Sequence, residues 1–325
     1  MRGEIWMKKK VKIALSVLLG MAVAASAGGF FTYLIRGSLS GEELPADAAA
    51  VLDAAQPEKA QGADVRIMSS NLLVDYESWG GTPAKPRAKM YTSVVDTYRP
   101  DVIGIQEMSD AWYCLLRQNL PDGYKMLYPV SSGVFVRMTA LVYNAQTLTL
   151  VERGQQVYTQ ATNPRLRRVV WGLFETKQTG ERFVVTTTHL DLLHDDMVQA
   201  ELPVMQSEAK EMVQLVKDLQ QTYACPVFAT GDFNAKEPSA HTREVDAPSV
   251  YTYLCEQMTD TKYVAKQSVG GSAEPLSKPT YDHVFYAGES GSVNVLKYEL
   301  LSDRSLQNMS DHYPIYVDVQ LSEIA

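Results

Sequence analysis

Several short stretches carry side chains whose types and spacing could do chemistry together. In Cys225 to Ala235, the apolar and β-branched run from Pro226 to Thr230 reads as a buried strand, Gly231 permits a tight turn, and Asp232 and Asn234 follow at the strand end. A carboxylate two positions from a carboxamide brings an anionic oxygen and a neutral polar head to one small volume. That suits a phosphoryl-transfer centre, where a metal, a water and a phosphate oxygen are held at fixed distances. The same pair fits an Asx-type turn equally well. Nearer the C-terminus, Ser310, Asp311 and His312 precede a run in which Ile315, Val317 and Val319 alternate with Tyr316, Asp318 and Gln320, the pattern of a half-buried strand. Tyr281, Asp282 and His283 lead into Val284 and Phe285. Glu107 closes the apolar run Asp101 to Gln106, and a carboxylate there needs solvent or a cation. The plain alternatives are a helix-start charge for Glu107 and a buried hydrogen-bond network for the two C-terminal groups.

These groups need elements that deliver them to one edge. Val65 to Ser70 reads as a strand ending at Asn71, Lys85 to Tyr98 as a helix stopped by Arg99 and Pro100, and Asp101 to Gln106 as a second strand. Ser109 can cap a helix running through Leu120. Thr139 to Tyr143, Leu148 to Val151, Val169 to Phe174 and Phe183 to Thr188 are strand-like, with a hairpin turn at Thr179 and Gly180, and His189 follows directly. Met197 to Thr222 reads as the long helix: Val198, Leu202, Met205, Ala209, Met212, Val213, Val216 and Leu219 form its apolar stripe, with Glu208, Lys210, Glu211 and Lys217 off it. Pro203 marks either a first-turn irregularity or the true start. Asp282 and His312, each beside a strand, would meet if those strands were neighbours in one sheet. His194, Asp195 and Asp196 read as a solvated turn, and a further helix begins around Ser249 to Thr252.

Taken in order, Asn71, Glu107, Arg167, His189, Asp232 with Asn234, Asp282 and Asp311 with His312 resemble the motifs of the endonuclease/exonuclease/phosphatase superfamily, the DNase I-like fold. The resemblance implies a four-layer α/β sandwich over residues 63–325, two mixed sheets packed together with helices outside. It implies a divalent cation, Mg²⁺ with Mn²⁺ as the alternative, held by Glu107 with Asn71 and Asp311 close to its shell. It further implies that Asp232 and Asn234 orient water and phosphate, that His189 and Arg167 touch the phosphate, and that His312 is the base-side histidine oriented by Asp282. Arg168, next to Arg167, is the rival for the arginine position, and Tyr143 matches either an active-site tyrosine or a core one. One departure stands out: the glutamate that supports the histidine in the secreted deoxyribonuclease branch has Arg137 near its place, so the support for His189 either comes from Asp191 or is absent. The implied activity is phosphoester hydrolysis, with a nuclease acting on DNA or RNA ranked first. A phosphatase or phosphodiesterase for lipid headgroups, inositol phosphates or small phosphoesters is the alternative, and a non-catalytic surface binding module ranks below both.

Composition bounds the partners. The chain has 325 residues and 46% hydrophobic content, enough for a full core. Setting aside the first 36 residues, which hold six of the 30 basic and one of the 38 acidic side chains, leaves 37 acidic against 24 basic. A body this acidic does not hold nucleic acid by bulk charge, so any such contact is local or metal-assisted. Ile13 to Ile35 carries no charged side chain. At roughly 1.5 Å per residue that stretch spans about 34 Å as a helix, enough to cross a bilayer. Lys8, Lys9, Lys10 and Lys12 precede it and Glu42, Glu43 and Asp47 follow, which places residues 1–12 in the cytosol and the body outside. The reading is thus a basic tail (1–12), a single-pass signal-anchor (13–35), a linker (36–62) with at most a short helix from Ala46 to Ala55, and a monomeric catalytic domain. Secretion after cleavage near Ala25 to Ala27 is the alternative. Cys114, Cys225 and Cys255 form no metal-site spacing and read as structural.

Overall fold

Strand alternation decides the layers. In β1 (Val65–Asn71) every residue is buried, because Val65 and Ile67 face a second sheet while Met68 faces helices. The computed structural model describes residues 38–55, 58–78, 80–129, 138–163, 166–271 and 275–322. Seven strands form one mixed sheet in the order β10 (Gln267–Gly270), β12 (Val293–Leu300), β13 (Ile315–Leu321), β1, β2 (Val102–Gln106), β4 (Thr139–Asn144), β3 (Tyr124–Leu127). Six form the other, in the order β5 (Leu148–Val157), β6 (Arg168–Thr176), β7 (Arg182–His189), β8 (Val227–Asp232), β11 (Asp282–Ala287), β9 (Thr259–Asp260). Within them β1 and β2 run parallel, as do β7 and β8, while β8 and β11 are antiparallel.

The inner faces interdigitate through residues such as Ile67, Val102, Phe183, Phe228 and Val317. On the outside, α1 (Ala46–Ala54), α2 (Ala84–Tyr98) and α3 (Asp110–Asn119) cover the seven-stranded sheet, and α4 (Val198–Tyr223) and α5 (Pro248–Gln257) cover the six-stranded one. A one-turn helix, α6 (Thr261–Val264), follows β9. The result is the expected helix–sheet–sheet–helix sandwich. Gly104 sets how closely the sheets approach near the site: a Cβ there would lie 1.9 Å from Thr230 Oγ1.

Local signals account for the element ends. Arg99 closes α2 in the left-handed region, followed by Pro100, and the Ser109 hydroxyl accepts from the Trp112 amide to cap α3. Three expectations change. Part of the stretch read as a linker belongs to the packed body, since α1 buries Ala48 and Leu52 in the same cluster as Tyr98 and Leu306. Pro203 sits inside α4, whose first residue is Val198. Glu208 does not lie off the apolar stripe: it is fully buried, in phase with Met205 and Met212. The spanning helix expected at 13–35 and Arg137 both fall outside the described residues; among those described, no helix is long and apolar enough to cross a membrane.

Candidate active site

Register builds a row of functional groups along one edge of the sandwich. Asp232 ends β8, with His189 of β7 beside it on one flank and Asp282 of β11 on the other. From the facing sheet, parallel pairing sets Asn71 against Gln106, so Glu107 emerges one residue beyond. The turn before β13 supplies Asp311 and His312. Asp282 and His312 therefore meet across the two sheets, not along neighbouring strands of one.

Asp232 is the hub. Its Oδ2 accepts from Asn71 Nδ2 at 3.0 Å and lies 3.4 Å from His189 Nε2 and 3.8 Å from His312 Nε2. Its Oδ1 accepts from the Asn234 amide at 3.0 Å, so the Asx turn and the site role coexist on one carboxylate. The Asn234 side chain donates to Leu190 O, which ties the strand end of β8 to the chain leaving β7. Asn71 bridges the two sheets, donating to both Asp232 and Glu107 Oε1 (3.1 Å) while its Oδ1 accepts from the Leu73 amide. Glu107 has a left-handed backbone, φ 61°, which turns the chain sharply at the end of β2; its Oε2 accepts from the Val74 amide at 3.0 Å. His312 Nδ1 sits 2.5 Å from Asp282 Oδ2. Ser310 accepts from the His312 amide and donates to Asn71 O.

The two histidines are driven to opposite charge states. Burial and then the nearby Arg167 guanidinium push His189 down to about 3, so it is neutral. Burial also works against a charged His312, but Asp282 and Asp232 outweigh it and hold the imidazolium well above the ordinary range. Arg167, not Arg168, stands beside the site: its Nε donates to Asp191 at 2.8 Å and its Nη1 to His189 O, whereas Arg168 reaches Gln155. Asp191 thus holds Arg167 and the Thr162 amide rather than supporting His189. Tyr143 packs on Phe174 in the inter-sheet core.

The residues fit a hard divalent cation. Burial, then repulsion from Asp232 and Asp311, raises the Glu107 carboxyl against the hydrogen bonds from Asn71 and Val74. Among the described residues Glu107 and Asp311 have no lysine or arginine partner, and Asp282 Oδ1 is buried without a hydrogen bond. Clustered carboxylate oxygens without a direct lysine or arginine ion pair, as at Glu107 and Asp311, are the donor type that magnesium or manganese takes. A second acidic group, Glu237, Asp260 and His283, is different because its ligand atoms are already used. Lys262 Nζ binds Glu237 at 2.6 Å, and His283 directs one ring nitrogen to Asp260 and the other to Ala235 O, so both must carry protons. That group joins the loop after β8 to the loop before β11. His194 pairs with Glu201 and is mostly exposed, as a solvated turn requires. Beside His312 lies a cleft of about 380 Å³ lined by Lys236, Tyr281, Asp282, Asp311, Tyr313 and their neighbours. None of the three cysteines forms a disulfide among the described residues, and Cys255 is exposed.

Sequence reasoning missed the supports of this row, chiefly Arg87, Trp112 and Glu208. Each carries a polar group in phase with an apolar helix stripe, a pattern that does not by itself show whether the group points inward.

No family model matches the chain, and no curated protein matches it. Solved structures do. An endonuclease/exonuclease/phosphatase from Bacteroides vulgatus superposes with a TM-score of 0.62 and 20% identity, covering 79% of this chain and 99% of its own. A mannosyl-6-phosphatase from Bacteroides thetaiotaomicron gives 0.61 and 20%, covering 78% and 99%. The human Nocturnin catalytic domain with bound sulfate gives 0.59 and 20%, covering 82% and 97%. At this identity the likeness establishes the fold, the α/β sandwich of endonuclease/exonuclease/phosphatase structures.

Proposed function

We propose that the chain is a divalent-metal-dependent phosphoester hydrolase. The observation that carries this is the meeting of Asn71, His189 and His312 on the single carboxylate Asp232, with Glu107 one hydrogen bond away. Magnesium or manganese would be held by Glu107, with Asn71 and Asp311 nearby, and would neutralise charge on a phosphate oxygen. The chain's own groups divide the remaining work. Asp232 accepts the proton of an attacking water. His312, kept cationic by Asp282, donates to a phosphate oxygen, so the base role expected of it passes to Asp232. Neutral His189 and Arg167 give further donors.

Nucleic-acid phosphodiesters remain the first substrate reading, supported by the likeness to zebrafish TDP2 complexed with a single-strand DNA product. Small phosphoesters are the second, favoured by the cleft beside His312, which has room for one sugar-sized group and carries Lys236 on its wall. Plasmid DNA, RNA, sphingomyelin, inositol phosphates and a sugar 6-phosphate, assayed with magnesium and with chelator, separate them. Turnover that requires metal and is lost in His312→Ala supports the reading. A folded, metal-loaded protein inert toward all five sinks it.

The lysine-flanked segment 13–35 supports a tethered protein with its body outside the cytosol. Protease added to intact cells should then remove the body, and protection until lysis would reverse the orientation.

A further inference from the structure

Arg87, in the first turn of α2, is fully buried and makes no ion pair among the described residues. Its guanidinium is spent on main-chain oxygens. Nη1 donates to Leu72 O at 2.7 Å and Leu73 O at 3.1 Å; Nη2 donates to Val74 O at 2.8 Å and Glu77 O at 3.1 Å. Trp112 stands beside it, 5.3 Å from ring centroid to guanidinium carbon, and its indole N–H also reaches Leu73 O, at 2.7 Å. A buried arginine without a carboxylate is costly unless its donors are all used, and here only Nε lacks a partner.

The peptide groups it grips are those that face the site. The amide joining Leu72 to Leu73 has its oxygen on Arg87 and its N–H on Asn71 Oδ1. The amide joining Leu73 to Val74 has its oxygen on Arg87 and Trp112 and its N–H on Glu107 Oε2. A trans peptide is rigid and its two dipole ends point oppositely, so fixing the oxygen fixes the direction of the N–H. A cation on the oxygen also polarises the N–H into a better donor. Leu73 holds φ 54°, a left-handed conformation that leucine rarely adopts and that these bonds sustain.

We propose that Arg87 is the positioning residue for the metal-holding end of the site, setting Glu107 and Asn71 through two peptide groups that it clamps from behind. This rests on the metal-dependent reading above. It predicts that Arg87 controls metal affinity rather than the chemical step.

The test uses the full chain and Mn²⁺ as probe, with calorimetric titration, thermal unfolding and near-ultraviolet circular dichroism. Arg87→Lys keeps the charge but loses the fork that spans four carbonyls. It should weaken Mn²⁺ binding by about 10- to 100-fold, the usual effect of losing an outer-shell partner, with turnover restored at saturating metal. Trp112→Phe removes one donor to Leu73 O and should shift affinity in the same direction by less; it carries the test if Arg87→Lys does not fold. Val213→Ala, in the core on the other side of the sandwich, should lower the melting temperature and leave Mn²⁺ affinity alone. Wild-type affinity in folded Arg87→Lys or Trp112→Phe, or a loss of affinity equal to that of Val213→Ala, overturns the proposal alone. A wild-type chain that binds no Mn²⁺ overturns the metal reading and this inference together.

Discussion

Glu208→Gln should make the protein more stable, and increasingly so as pH rises. The carboxyl is fully buried on α4, with Oε2 accepting from the Asp191 amide at 2.7 Å and Oε1 unpartnered. Burial, then the Asp191 carboxylate, pushes its pKa from 4.5 up to about 8. The folded state therefore keeps a proton that the unfolded chain releases near 4.5. With the folded value raised, this group's contribution is whole below the unfolded pKa and is lost as pH climbs through the folded one. Each tenfold in proton concentration is worth about 1.4 kcal/mol, so the full loss is roughly 4 to 5 kcal/mol. Between pH 5 and pH 8 that amounts to roughly 3 to 4 kcal/mol. Glutamine cannot ionise, yet its carbonyl can still accept from the Asp191 amide. Titrating groups distant from Glu208 are common to both proteins and cancel in the difference. Urea unfolding at pH 5, 6, 7 and 8, followed by two probes to check two-state behaviour, measures the gap between variant and wild type. A gap that stays constant over this range refutes the reasoning, because it would mean Glu208 ionises alike in both states.

Glu107→Gln removes the charge while nearly keeping the shape, so folding should survive and magnesium binding should weaken sharply by calorimetry; wild-type affinity would exclude Glu107 as a principal ligand. His312→Ala should lose about a hundredfold to ten-thousandfold in kcat/KM, the range for a proton-transfer or charge-stabilising group, with metal affinity retained. Asp282→Asn should lose less, and the double variant should be little worse than His312→Ala, since Asp282 acts through the histidine at 2.5 Å. Single effects that multiply in an intact fold would separate the two residues. Stability should respond to pH through His312 as well: its pKa is raised, so its contribution is complete below about 6.5 and fades as pH rises through the folded value, an effect that His312→Ala should remove.

The strands were legible because apolar alternation and β-branched runs are local signals, and the chemistry-bearing groups because they interrupt those runs at their ends. Asp232, Glu107 and His189 each follow a stretch with every residue buried or nearly so. The supports were hidden for the opposite reason. Arg87 is in phase with Tyr91, Val94 and Tyr98, and Glu208 with Met205 and Met212, so each looks like a polar residue at the margin of an apolar stripe. Only the tertiary partners, four carbonyls in one case and a single amide in the other, show that these side chains point inward. Asp191 was visible as an acid near His189, but its commitment to Arg167 depends on a turn that no local pattern specifies.

The pairing of Asp282 with His312 shows why chemistry could be read where topology could not. Both residues begin or precede strands, and a sequence offers no means of telling two neighbours in one sheet from two strands in facing sheets. The difference has a physical consequence. A pair held within one sheet would depend on ladder register alone, whereas this one depends on the distance between sheets. That distance is set in the sandwich interior, where Gly104 lets β2 lie against Thr230 and Thr187 with no room for a methyl group. Asn71 crosses the same gap to reach Asp232, and Gln106 crosses it to reach Thr187 at 2.9 Å. Close packing makes such an interface resist small expansions. Inner-layer residues near Gly104 therefore help hold the 2.5 Å contact between Asp282 and His312, although they lie beneath the reacting groups and touch no substrate.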